Sequence, residues 1–181
     1  MRERMTAGDL YLADDPELGR EMALAERLSW RFNTMEPGPE RREVLAGLLG
    51  GLGEGTEIRP PFRCDYGRHT TIGARTFANF GLICLDVAPI TIGDDVQIGP
   101  NVQLLTPLHP VAAGLRRDKW EAARPITIGD NVWLGGGVIV CPGVTIGADT
   151  VVGAGAVVVR DLPAGVVAVG NPARVVKAVE P

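Results

Sequence analysis

Histidine and cysteine are nearly absent from this sequence, and each shortage excludes a class of chemistry. Only His69 and His109 stand in 181 residues, too few for a zinc centre built on three histidines. The three cysteines, Cys64, Cys84 and Cys141, lie far apart, are odd in number and form no C-x-x-C pair. They read as small buried hydrophobes in a reducing compartment. Long apolar runs are missing too: nothing approaches 18 consecutive apolar residues, and the opening MRERMTAGDLYLADD lacks a signal-peptide core. A cytoplasmic protein is expected. The net charge of −4 and pI near 5.2 give no basic field for nucleic acid. Aromatic residues number nine, so burial in a chain that is 45% hydrophobic must rest on Val, Ile, Leu and Ala.

What the chain has instead is glycine and proline. They make up 38 of 181 residues, or 21%, against about 12% in ordinary proteins. There is no G-X-Y period, and the high apolar content with small net charge argues against disorder. The composition describes a globular chain of many tight bends. Charge divides it: residues 1–57 carry −5 and residues 58–181 carry +1, which places a boundary near residue 57.

Residues 15–33 read as an amphipathic helix. Asp15 suits the N-cap, Pro16 the first helical position and Glu17 the dipole. Leu18, Met22, Ala25 and Phe32 form one apolar stripe, and Asn33 offers a stop. A second helix is expected from Glu40 to Leu49, with Val44, Leu45, Leu48 and Leu49 inward and Gly50-Gly51 ending it. Two short helices cannot bury a core alone; they must pack on something.

From residue 58 the period is six. In register stand Ile128-Gly129, Leu134-Gly135, Val140-Cys141, Ile146-Gly147, Val152-Gly153, Val158, Ala164-Gly165 and Gly170. Four positions later come Val132, Val138, Val144, Thr150, Ala156, Leu162 and Ala168. Ile92-Gly93, Ile98-Gly99 and Leu104, with Val96, Val102 and Leu108, obey the same rule, while Ile72-Gly73 with Thr76 sits in a different register. Hexapeptide periodicity is the signature of a parallel β-helix. Each hexad supplies a short strand whose aliphatic residue points into a narrow core, followed by a corner where a Cβ would crowd, hence Gly. Three hexads close a triangular coil, and coils stack through backbone hydrogen bonds. The fold expected is mainly β, a parallel β-helix preceded by a helical segment.

The segments "AGDLYLADDPEL", "PPFRCDYG", "FANFG", "LDVAPITIGDDVQIGPNV", "PITIGDNVWLGGGVIVCPGVTIG", "GAGAVV" and "GNPARVV" resemble the maltose and galactoside O-acetyltransferase group of hexapeptide-repeat acyltransferases. The resemblance covers nearly the whole chain and implies a left-handed coil, against the usual right-handed crossover. It implies an N-terminal domain over 1–57 and an acyltransferase β-helix over 58–181. It further implies acetyl-CoA as co-substrate, a sugar acceptor, direct transfer without a metal, and a homotrimer with active sites between neighbouring subunits.

His109 lies in "LLTPLHPV", where the period breaks and residues 109–124 leave the coil as a polar loop. A long excursion from a rigid scaffold is a common place for function. Resemblance makes His109 the general base. An imidazole titrating at about 6.5 suits removal of a hydroxyl proton at neutral pH. His69, just before a hexad, reads as a surface residue. Resemblance places Asn79, Asp86 and Asp65 near the acceptor sugar, and Asp14 or Asp15 as a further contact, although Asp15 equally suits a helix cap. On the donor side it implies Gly136, whose N–H would face the thioester oxygen. Ala154, Val159 and Arg160 would lie along the pantetheine and nucleotide, and Arg174 and Lys177 near the phosphates. Trp133 reads as packing between coils or subunits. Rival readings are an antibiotic-modifying acetyltransferase, disfavoured by the helical pair, a γ-type carbonic anhydrase, excluded by two histidines, and a non-catalytic assembly β-helix.

Overall fold

A computed structural model describes residues 1–180. The chain folds as a left-handed parallel β-helix of about 6 turns. Its first face stacks Gly51–Leu52, Thr70–Ile72, Ile90–Ile92, Ile126–Ile128 and Thr145–Ile146, all parallel. Its second stacks Glu57–Ile58, Phe77–Ala78, Gln97–Ile98, Trp133–Leu134, Val151–Val152 and Val166–Val169, and the antiparallel strand Arg174–Ala178 closes that sheet. Its third stacks Phe62–Cys64, Leu82–Leu85, Gln103–Leu105, Ile139–Val140 and Val157–Val158. Corner one joins the first face to the second, corner two the second to the third, and corner three the third to the next coil. The hexad aliphatics fill the interior: Ile92, Ile98, Leu104, Ile128, Leu134, Val140 and Ile146 are all buried.

The corners show why glycine recurs. A Cβ on Gly129 would stand 2.6 Å from the Ala148 backbone nitrogen, and one on Gly135 would stand 2.5 Å from that of Ala154. Two residues further round each turn the backbone enters the left-handed region, where Gly137 and Gly155 both have φ of +71°. Asp95, Asn101, Asn131 and Asp149 fill the same kind of position, as the residues that tolerate it best after glycine.

Coil length explains the shifted register near Ile72. Gly51 pairs with Thr71 and Thr71 with Thr91, so early coils take 20 residues. Thr127 pairs with Thr145, so a later coil takes 18. The two extra residues lie at corner three, in Asp65–His69 and again in Asp86–Pro89. Thr91 pairs with Thr127 across 36 residues, because the third corner-three segment carries the excursion. That excursion is an antiparallel hairpin: Pro107–Leu108 pairs with Trp120–Ala123. Leu108 therefore belongs to the hairpin and is half-buried, outside the hexad core expected for it.

Helix α1 (Arg2–Thr6) packs with Tyr11 against corner three and the hairpin, α2 (Pro16–Thr34) and α3 (Pro39–Leu48) cover the first coil, and α4 (Ala113–Arg117) lies within the excursion. Asp15 caps α2, accepting from the Glu17 N–H at 2.9 Å, with Pro16 at the first position. Leu18, Ala25 and Phe32 of the expected stripe are buried, but Met22 is 39% exposed and Ser29 takes an inward place instead. The helix ends at Thr34, one residue beyond the stop expected at Asn33. The Asn33 side chain mimics a strand, donating to the Phe62 carbonyl at 2.9 Å and accepting from the Phe62 N–H at 2.8 Å. Ala25, Phe32, Val44, Leu45 and Leu48 share one apolar core with the coils. The first coil strand, Gly51–Leu52, precedes the charge boundary at residue 57. α1 and the short strand Tyr11–Leu12 have no counterpart in the sequence reading. Among the described residues, no helix is long and apolar enough to cross a membrane.

Close corner packing makes a sharp expectation. Gly129→Ala forces a methyl against backbone and should lower stability by about 1–3 kcal/mol in a urea or thermal melt. Gly114→Ala, in α4 with nothing within 4 Å of the added carbon, should change it by less than about 0.5 kcal/mol.

Candidate active site

Two corner columns carry the residues singled out in the sequence. Corner three gathers Asp65, His69, Asp86 and, on the hairpin, His109. Corner two gathers Asn79, Gly136 and Ala154. Within one chain these groups occupy different edges of the triangular coil.

Corner three is built around Asp86, which is fully buried. Its Oδ1 accepts from the Asp65 N–H at 3.1 Å and the Tyr66 N–H at 2.8 Å, and its Oδ2 accepts from the Thr70 hydroxyl at 3.1 Å. The carboxylate expected at the acceptor thus also shapes the corner, fixing the Asp65 backbone. His69 is not a free surface residue: Nδ1 lies 2.8 Å from the Asp86 carbonyl and its ring packs against Tyr66 at 5.1 Å between centroids. Asp65 itself is half-buried, and its carboxyl is pushed up to about 6 by burial first, then by the Asp86 and Glu121 charges. It lines a groove with Gly19, Met22, Ala23, Ser29, Arg63 and Cys64, of about 530 Å³, between α2 and the first coil. Met22 is exposed because it forms the wall of this groove.

His109 stands beside the hairpin, with its side chain 57% exposed. Its Nδ1 is 3.7 Å from Glu121 Oε1, within ion-pair distance though longer than a hydrogen bond. The hairpin strand holding Glu121 pairs on its other edge with Tyr11–Leu12. Glu121 carries no motif of its own in the sequence; only pairing across the hairpin brings it to His109. Thr106 pins the departure of the excursion, donating to the Leu85 carbonyl at 2.6 Å and accepting from the Ala88 N–H at 3.0 Å.

Corner two has a different character. Gly136 O accepts from the Gly155 N–H at 2.9 Å and Pro100 O from the Gly137 N–H at 2.8 Å. Among the described residues, the Gly136 and Ala154 amides themselves find no acceptor. At corner one the amides of Ala74 and Asp94 are answered by the Asp94 and Asp130 carboxylates, at 2.7 and 2.9 Å, whereas those of Asp130 and Ala148, in the same coils as Gly136 and Ala154, likewise find no acceptor among the described residues. The Gly136 and Ala154 N–H groups are thus unengaged within the chain. Asn79 Oδ1 accepts from the Phe80 N–H at 2.8 Å, leaving its amide NH₂ as a donor.

The remaining candidates are peripheral within one chain. Val159 and Arg160 are exposed at the upper end of corner three. Arg174 and Lys177 lie on the closing strand, all of it exposed. Asp14 is exposed at the head of α2, while Asp15 is engaged as its cap. Trp133 stands 56% exposed on the outer second face, so it does not pack between coils of its own chain. The thiols are poor nucleophiles: burial pushes Cys64 up to about 12, Cys84 well above its ordinary value, and Cys141 upward.

Residues 4–53 match the maltose acetyltransferase hexapeptide capping motif, and residues 125–160 match the bacterial transferase hexapeptide of six repeats. The galactoside O-acetyltransferase of Escherichia coli (strain K12) is 40% identical over 179 residues, covering 98% of this chain and 88% of that protein. The solved structure of a maltose O-acetyltransferase from Clostridium difficile 630 is similar with a TM-score of 0.96 and 46% identity, covering 99% of this chain and 97% of its own. A hexapeptide-repeat-containing acetyltransferase from Vibrio cholerae O1 biovar eltor, complexed with acetyl coenzyme A, gives 0.93 and 37%, covering 99% and 98%.

The raised Asp65 carboxyl has a definite pH signature. An acid whose folded value lies above its ordinary 3.8 favours the fold most when protonated, and that contribution fades as pH rises through about 6. Asp65→Asn removes the titration. The melting temperature of the parent should therefore fall relative to the variant between pH 4 and 6.5, with a constant gap above; a gap independent of pH throughout would refute the burial argument.

Proposed function

Because the chain belongs to the maltose and galactoside O-acetyltransferase group of hexapeptide-repeat acyltransferases, we propose that it moves the acetyl group of acetyl-CoA directly to a hydroxyl of a sugar, with His109 as general base. The acceptor class is a maltose-, glucose- or galactoside-like sugar. The observation that carries this reading is the half-exposed His109 beside the Glu121 carboxylate.

With Nδ1 facing Glu121, Nε2 is the nitrogen left for the acceptor. His109 takes the hydroxyl proton as that oxygen bonds to the thioester carbon. The Gly136 N–H, without an acceptor in its own chain, donates to the oxygen on which charge develops. The C–S bond then breaks and His109 returns the proton to the leaving sulfur, so ester and free CoA result. Direct transfer is favoured over an acyl-enzyme because burial raises all three thiols, and a nucleophilic cysteine needs the opposite shift. Asp65 and Asp14 contact acceptor hydroxyls beside His109, with Asp86 holding Asp65 in place. Ala154, Val159 and Arg160 line the donor path, and Arg174 and Lys177 answer its phosphates.

Since Asn79 and Gly136 belong to corner two and His109 to corner three, a complete site takes one corner from each of two copies. A homotrimer satisfies this for every subunit, and exposed Trp133 and Val159 supply apolar surface for the contact.

His109→Ala should keep the fold and lower turnover by roughly 10²–10⁴-fold, read as thiol release with a panel of sugars. Near-parental acetylation by the folded variant would sink the general-base role. Co-expressing His109→Ala with Asn79→Ala should recover a measurable fraction of activity that neither has alone. Recovery in mixed oligomers requires a site shared between copies; its absence would place both residues in one subunit's site.

A further inference from the structure

The residue that the sequence offers no reason to single out is Tyr11. It lies in the two-residue strand Tyr11–Leu12, paired antiparallel with Glu121 and Trp120 of the hairpin. The ring is 1% exposed, in a small separate core with Met5, Leu18, Tyr66, Val87, Ala88 and Ala123. Its hydroxyl donates to Glu121 Oε2 at 3.0 Å, while Oε1 of the same carboxylate faces His109 at 3.7 Å. The two oxygens of Glu121 thus have separate partners, one from the N-terminal segment and one on the hairpin. Burial and the neighbouring Glu121 push the Tyr11 phenol far above its ordinary range, so it only donates. α1 reinforces the dock, with the Arg4 guanidinium over the Trp120 ring at 5.5 Å.

We propose that Tyr11 is a positioning residue of the active site: its hydroxyl fixes the Glu121 carboxylate, and through it the His109 imidazole, making the N-terminal segment part of the catalytic apparatus. The physical case is orientational. A half-buried glutamate still has three rotatable side-chain bonds, and a carboxylate anchored at one oxygen presents the other in a narrow range of directions. The imidazole that it faces is more than half exposed and has few contacts to hold it otherwise. Misplacement of a general base costs rate steeply, because proton transfer requires hydrogen-bond distance. The widened corner contributes as well, since Tyr66, Val87 and Ala88 pack directly on Tyr11's side of the sheet. This inference rests on His109 acting as the base.

The test is a cycle of Tyr11→Phe, Glu121→Gln and the double variant, with kcat and both KM values measured on protein whose melting curve is cooperative. Tyr11→Phe should lower kcat by about tenfold, the order expected when a hydrogen bond to a charged group is lost, with KM for acetyl-CoA within about twofold. In the Glu121→Gln background the same change should cost little further, because the path to His109 is already cut. An unchanged kcat for Tyr11→Phe overturns the proposal, as does an equal loss in both backgrounds, which would mark a purely structural role. Should Tyr11→Phe fail to fold, Glu121→Gln alone decides: parental kcat there overturns the relay. His109→Ala separates the two readings, since an inactive His109→Ala with a fully active Tyr11→Phe defeats only this inference.

Discussion

Coils of this solenoid stack at the spacing of a parallel β ladder, about 4.8 Å, and that spacing leaves no room at the corners for a Cβ. Gly129 and Gly135 meet the backbone of the next coil directly, so the identity of the corner residue is dictated by the ladder. The narrow interior follows from the same geometry: two aliphatic side chains per hexad, such as Val132 and Leu134, fill it, which leaves aromatic residues to the outside and the capped end. Phe32 and Phe62 meet edge to face at 6.5 Å, under the helices, where the first coil would otherwise expose its core. The helices therefore complete the solenoid and share its core.

Departures from the six-residue period are concentrated at one corner. Each widened corner-three segment must satisfy backbone groups that the regular ladder no longer serves. Asp86 does so for the Asp65 and Tyr66 amides, and Thr106 does so for Ala88 and Leu85. These buried polar groups are placed by need, and Asp65, raised first by burial, is raised further by the Asp86 and Glu121 charges beside it. The same widened corner lets the hairpin leave the coil and lets the N-terminal segment dock against it. Scaffold irregularity and candidate chemistry thus share one cause.

What the sequence discloses follows the range of the interactions involved. The coils were legible because each hexad repeats a local demand, from Ile128-Gly129 through Gly170. α2 was legible from Asp15, Pro16 and its apolar stripe, although nothing in the sequence shows that the Asn33 side chain engages the Phe62 backbone. Tyr11–Leu12 was not legible, since a two-residue strand has no period and its partner is Trp120-Glu121. Glu121 was hidden for the same reason. Asp86 was legible through the resemblance, whereas its burial and the three donors that engage it are properties of the assembled corner. His69 looked exposed for want of any sign that the Asp86 carbonyl would hold it. His109 stands out because the period fails around it and because the resemblance falls on it.

A solenoid corner is convex, and a convex edge cannot enclose a substrate or exclude water from a developing charge. Concavity has to be added, and at corner three this chain adds it: α2 forms a groove with Asp65, and the hairpin carries His109. Corner two stays bare, yet it presents the Gly136 and Ala154 amides with no acceptor of their own. Bare amides on an edge are tolerable when water reaches them, and they become useful when a second surface covers them. The proposed meeting of corner two with the hairpin side of another copy supplies that cover without new secondary structure. In that arrangement the hairpin is a shared wall, and its rigidity matters to two chains at once. A single buried hydroxyl at Tyr11, by holding Glu121, would then fix the base for a site whose oxyanion donor belongs to the neighbouring copy.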